Sequence, residues 1–172
     1  MTNSASLNKI LWPCVVLFVL TAAALIAIDV QLRNAATPHG IVSFELCTFA
    51  SSCDRALDQW GAKGQALAML SLGLDYLFLI LYPGLIFIVL RLLAVHLPPN
   101  LRGPTALAAW SCPVIALADA AENFALIQVI VRQSGDFYGF VGGVFAVIKF
   151  VCLGLALTWL AIVFIKYLLN RG

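Results

Sequence analysis

Residues 105–131 read TALAAWSCPVIALADAAENFALIQVIV, an apolar run interrupted near its middle by two carboxylates and an amide, Asp119, Glu122 and Asn123. A membrane-spanning helix needs about 20 predominantly apolar residues. A charge at its centre costs roughly 2.5–3.5 kcal/mol even on the lenient insertion scale. The stretch therefore raises two questions: whether the chain lies in lipid, and what its ionisable groups do there.

Composition answers the first. Of 172 residues, 63% are hydrophobic and 10% charged, against roughly 45–50% and 25% in a soluble domain. Three further stretches, 10–30, 66–93 and 140–167, are apolar over a similar length. The connections 94–104 and 132–139 are short enough to force antiparallel neighbours. The expected fold is an all-α integral membrane protein, a single four-transmembrane-helix bundle over residues 1–172, with a short extracytoplasmic amphipathic segment inside connection 31–65. No internal repeat, low-complexity tract or run of like charge breaks this unit. The first stretch follows Lys9 and contains the small residues 21–24. Its apolar core of about 18–20 residues exceeds the 7–15 of a signal peptide, so it reads as a retained helix.

Lysine and arginine set the orientation. Lys9, Arg91, Arg102, Lys166 and Arg171 share one side, and Arg33, Arg55, Lys63 and Arg132 the other. Five against four favours N-in, C-in, in a cell inner membrane, with 31–65 outside. Asp29, Glu45, Asp54, Asp58 and Asp136 then all fall outside. Trp12, Trp110 and Tyr167 mark the inner interface, and Trp60 and Tyr138 the outer one. A net charge of +2 offers no footprint for nucleic acid, so the expected partner is the lipid bilayer.

The first connection has structure of its own. Pro38, His39 and Gly40 break the chain, and IVSFELCTFA (41–50) is apolar enough to lie on a membrane surface. Ser51 with Asp54 resembles a helix start, and Ala56, Leu57 and Trp60 give one apolar side to a short helix ending at Gly61. Together they read as an interfacial cap over the bundle. Glu45 is an acid among Val42, Phe44 and Leu46, readable as a solvated loop carboxylate or as a functional one. Cys47 and Cys53 could close a small disulfide loop in an oxidising compartment. Cys14, Cys112 and Cys152 read as packing residues. There is no C-x-x-C, so thiol redox chemistry has no support. His39 and His96 both sit in connections, which argues against haem and against carboxylate–histidine metal sites in the bundle. No metal and no cofactor is expected.

The second question turns on Asp75, Asp119, Glu122 and Lys149. With span midpoints near Leu79, Ala118 and Leu153 and a rise of about 1.5 Å per residue, Asp75, Glu122 and Lys149 each lie about 6 Å to the outer side of the centre, and Asp119 near it. Antiparallel helices bring them to one level. Asp119, Glu122 and Asn123 share a stripe continued by Cys112, Ala116 and Ala120. Ser71, Asp75, Phe78 and Tyr82 share a face of the second span. Gly142, Ala146, Lys149, Cys152 and Ala156 share one of the fourth. Three carboxyls against one lysine leave two excess negatives in low dielectric, to be neutralised by protons, a cation or a basic ligand.

The candidate ligand- or proton-binding residues are thus Asp75, Asp119, Glu122, Asn123, Lys149, Tyr82 and Glu45. Pro83 and Gly84 are expected to kink the second span, and Gly139, Gly142 and Gly143 to mark a close helix approach. Three functions fit. One is binding or translocation of a proton, cationic group or lipophilic ligand, with a homodimer for a pore. Another is an acid–base isomerase or cyclase acting on a lipophilic substrate. The third is an assembly or stability subunit of a larger membrane complex. A pocket lined by Phe78, Phe124 and Phe145 would favour a lipophile.

Overall fold

A computed structural model describes residues 4–50, 52–135 and 137–169. All regular structure among them is helical: α1 (Ser4–Leu32), α2 (Ile41–Glu45), α3 (Cys47–Ala50), α4 (Cys53–Ala94), α5 (Pro99–Arg132) and α6 (Phe137–Leu169). Four of these, α1, α4, α5 and α6, are long and apolar enough to cross a membrane. Ser51 and Asp136 lie outside the described residues. The helix start expected at Ser51 is made by its neighbour, since Ser52 Oγ accepts from Arg55 N at 3.5 Å.

The long helices are not packed evenly. α5 runs between α4 and α6 and packs along both, whereas α1 packs chiefly on α4. α4 and α6 touch each other far less, and the gap between α1 and α6 is left open. Small residues make the α5–α6 approach possible: Gly142, Gly143, Ala146 and Ala156 of α6 are all buried. A Cβ on Gly142 would press on Leu126. A Cβ on Gly143 or Gly139 would instead meet Phe49 or the Thr48 and Cys53 side chains. The glycines at the start of α6 thus admit two partners, α5 and the short α3.

The connection after α1 is tied down at several points. Asp29 Oδ1 accepts from Ile41 N at 2.8 Å while Asp29 Oδ2 pairs with Arg33 at 2.9 Å. Gly40, at φ 59°, turns directly over that carboxylate, where a Cβ would overlap it. Trp60 Nε1 donates to Leu32 O at 2.8 Å, and its ring lies against Phe44. Trp60 is therefore buried in a core with Leu32, Phe44 and Leu57. This corrects its reading as an interfacial ring: the indole N–H finds its acceptor inside the cap. Cys47 and Cys53 are joined by a disulfide, with a Cα–Cα distance of 4.9 Å.

The short helix expected to end at Gly61 does so: α4 is 42 residues long only because the second span follows directly, and Gly61 leaves helical geometry between the two at φ 55°. Pro83 lies inside α4, and Gly61 is the residue of that helix with non-helical dihedrals. A second apolar core forms at the opposite end from Leu90, Leu93, Ile115 and Val163, among others.

The Gly143 notch should be sensitive to volume. Gly143→Leu has no room beside Phe49, and overpacking of this kind costs about 1–3 kcal/mol. A lowered thermal midpoint in detergent, accompanied by faster reduction of the Cys47–Cys53 disulfide, is the expected outcome. An unchanged midpoint and reduction rate would contradict the packing of α3 on α6.

Candidate functional site

Between the two apolar cores lies a polar layer built from four elements. α6 contributes Lys149, α5 contributes Asp119, Glu122 and Asn123, α4 contributes Asp75 and Tyr82, and the short α2 contributes Glu45. Asp119, Glu122, Asn123, Lys149 and Glu45 are all buried. Lys149 is the hub. Its Nζ lies 2.8 Å from Glu122 Oε2, 3.2 Å from Asp119 Oδ1 and 3.4 Å from Glu45 Oε2. Asp119 Oδ2 accepts from the Tyr82 hydroxyl at 2.8 Å, and Asp75 Oδ2 from Asn123 Nδ2 at 2.7 Å.

Glu45 is only 8% exposed, which rules out the solvated-loop reading. It reaches a lysine 104 residues away, which no local pattern announces. Burial is the main influence on its carboxyl and raises its pKa above the ordinary value. The Lys149 ammonium opposes that rise, and the Asp119 carboxylate adds to it.

Glu45 also enlarges the charge imbalance, because four carboxyls now face one ammonium, a formal excess of three. The imbalance has a structural trace. Glu122 is 0% exposed, its Oε2 meets the ammonium without hydrogen-bond geometry, and its Oε1 has no hydrogen-bond partner among the described residues. Among the described residues, no group of three or more His, Cys, Asp and Glu side chains is arranged to hold a metal ion.

Two cavities open onto this layer, sharing Val42, Glu45, Asp75 and Phe78 as walls. One, about 550 Å³, is a groove bounded by Phe18 of α1, by Leu85 and Val89 of α4, and by Leu153, Leu157 and Leu160 of α6. Its polar end is formed by Asp75, Tyr82, Asp119, Lys149 and Glu45. The other, about 590 Å³, is a vestibule beneath α2, with Asp29, Arg33 and His39 at one part of its wall and Ser71, Asp75 and Asn123 at another. Of the three phenylalanines expected around a pocket, only Phe78 lines these cavities. Phe124 is exposed on another face, and Phe145 lines neither. Phe18 and Phe150 take their place, and Phe18 stacks on Phe78 at 5.2 Å.

Compared with protein-family models, curated proteins and solved structures, the chain matches none.

The geometry assigns opposite consequences to two substitutions in the cluster. Lys149→Met strips three carboxyls of their counter-charge, and breaking a buried pair in this way costs about 3–5 kcal/mol. Glu122→Gln removes one excess charge and should be neutral or stabilising. Denaturant unfolding of both variants in detergent checks this. Equal destabilisation by the two would contradict a surplus of negative charge.

Proposed function

We propose that this protein binds a single amphipathic molecule drawn from the membrane, holding its apolar portion in the groove between α1 and α6 and its polar head at the carboxyl–lysine layer. The observation that carries this reading is the groove itself. It is walled by leucine, isoleucine, valine and phenylalanine along its length and ends on ionisable groups, the pattern of an apolar site with a few convergent polar groups. Along α6, Lys149 to Leu160 spans roughly 16 Å at about 1.5 Å per residue, enough for a medium-length chain. One protomer forms the whole groove, so binding needs neither a homodimer nor a larger complex.

In this reading α2 and α3 cap the site on the extracytoplasmic side of a cell membrane, with both termini inside. The Cys47–Cys53 disulfide supports that orientation, because such bonds persist in oxidising compartments. The five-to-four distribution of basic residues points the same way. A second reading rests on Tyr82 and Asp119, hydrogen-bonded to each other and both on the groove wall. There they could move a proton on a bound alkene. Recovery of the bound lipophile with a shifted double bond would select it.

Photolabelling with a diazirine-bearing long-chain alcohol in phosphatidylcholine nanodiscs tests the binding site. Label should concentrate on the groove and fall at least fivefold in Leu157→Trp and Val89→Trp, which fill it. Label spread evenly onto Leu117 and Leu155, which are 72% and 69% exposed and line neither cavity, would defeat the proposal.

A further inference from the structure

The four carboxyls of the polar layer are not equivalent. Glu45, Asp119 and Glu122 each lie within 3.4 Å of the Lys149 ammonium. Asp75 stands apart: among the described residues no cation lies within ion-pair distance of it, and its one hydrogen bond comes from the neutral amide of Asn123 to Oδ2. It is also only partly buried, and it forms part of the wall of both the groove and the vestibule. A carboxylate in this position is available to a ligand in a way the other three are not.

We propose that Asp75 is the docking carboxylate for an amine-headed lipophile, a protonated alkylamine whose ammonium pairs with Asp75 and whose chain follows the groove. This rests on the reading that the groove holds an amphiphile, and it names that ligand's class. Charge complementarity chooses the class. The layer carries a formal excess of three negatives, and among the described residues the fully buried Glu122 Oε1 has no hydrogen-bond donor. An ammonium head lowers the excess by one, an alcohol leaves it unchanged, and a carboxylate head raises it at a site where like charges are already crowded.

The surroundings of Asp75 fit the same head group. Phe78 lines both cavities beside it and, with Phe18 stacked on it at 5.2 Å, gives an apolar wall for the first methylenes next to the nitrogen. The vestibule on the far side of Asp75 gives room for substituents on the nitrogen, or for the waters that would solvate its remaining N–H groups. Its more distant wall holds His39 and an Arg33 already paired with Asp29.

The test is competition against the diazirine alcohol in uncharged phosphatidylcholine nanodiscs, with hexadecylamine, hexadecanol and hexadecanoate at equal mole fraction. The wild-type protein should prefer the amine over the alcohol by about tenfold or more and bind the carboxylate least. Asp75→Asn should remove most of the amine's advantage over the alcohol, and Asp75→Glu should restore the preference. Equal competition by amine and alcohol in the wild type, a comparison that needs no variant to fold, overturns the amine assignment while the groove reading stands. So does an amine preference that survives Asp75→Asn. If none of the three competes, the groove reading fails and the amine assignment with it.

Discussion

One ammonium serving several carboxyls in a low-dielectric layer is the constraint on which the rest of this structure depends. Among the described residues Lys149 is the sole basic group in the layer, and its three contacts come from α5 and from a five-residue helix that spans nothing. To bring Glu45 there, the chain after α1 must turn sharply, which it does at Gly40 over the Asp29 carboxylate. It must also be held down, which the Trp60 indole, the Cys47–Cys53 disulfide and the glycine notches of α6 accomplish. The cap and the charge cluster are thus one construction. Removing the lysine would leave Glu45 facing two other acids.

The same arrangement explains why the site is reachable. α5 occupies the middle and packs on both α4 and α6, so α1 is left on α4 with no comparable seat against α6. The resulting gap ends at the polar layer. A bundle closed by four equal contacts would have sealed the cluster from the lipid, whereas this one exposes its edge, at Asp75, to the groove and the vestibule together. Burial of the triad around Lys149 and the partial burial of Asp75 divide the layer into a part enclosed between the helices and a part that lines the two cavities.

Much of this was legible in the sequence. Helical spacing within each span, together with the antiparallel order of the spans, was enough to bring Asp75, Asp119, Glu122, Asn123 and Lys149 to one level. Tyr82 followed because it lies two turns from Asp75 on the same face. Glu45 was ambiguous because its partner is separated by 104 residues, and an acid in an apolar pentapeptide looks alike whether it faces water or a buried lysine. Trp60 was misplaced for a related reason: an amphipathic ring suits an interface and a satisfied core equally well. The groove aromatics were the least readable. In a helix apolar on all sides, lipid-facing and inward-facing residues share one chemistry, so nothing local separates Phe78 from Phe124. The break at Gly61 was readable, since a glycine closing a short apolar-sided helix announces itself locally.

The most direct measurement is an experimental density map of the protein purified from membranes into an amphiphile-containing nanodisc. Elongated density lying along Leu153, Leu157 and Leu160 and ending beside Asp75, with Lys149 still ringed by Glu45, Asp119 and Glu122, is the expected result. A groove closed by α1 packed against α6, or a Glu45 carboxylate turned out to solvent, would contradict it.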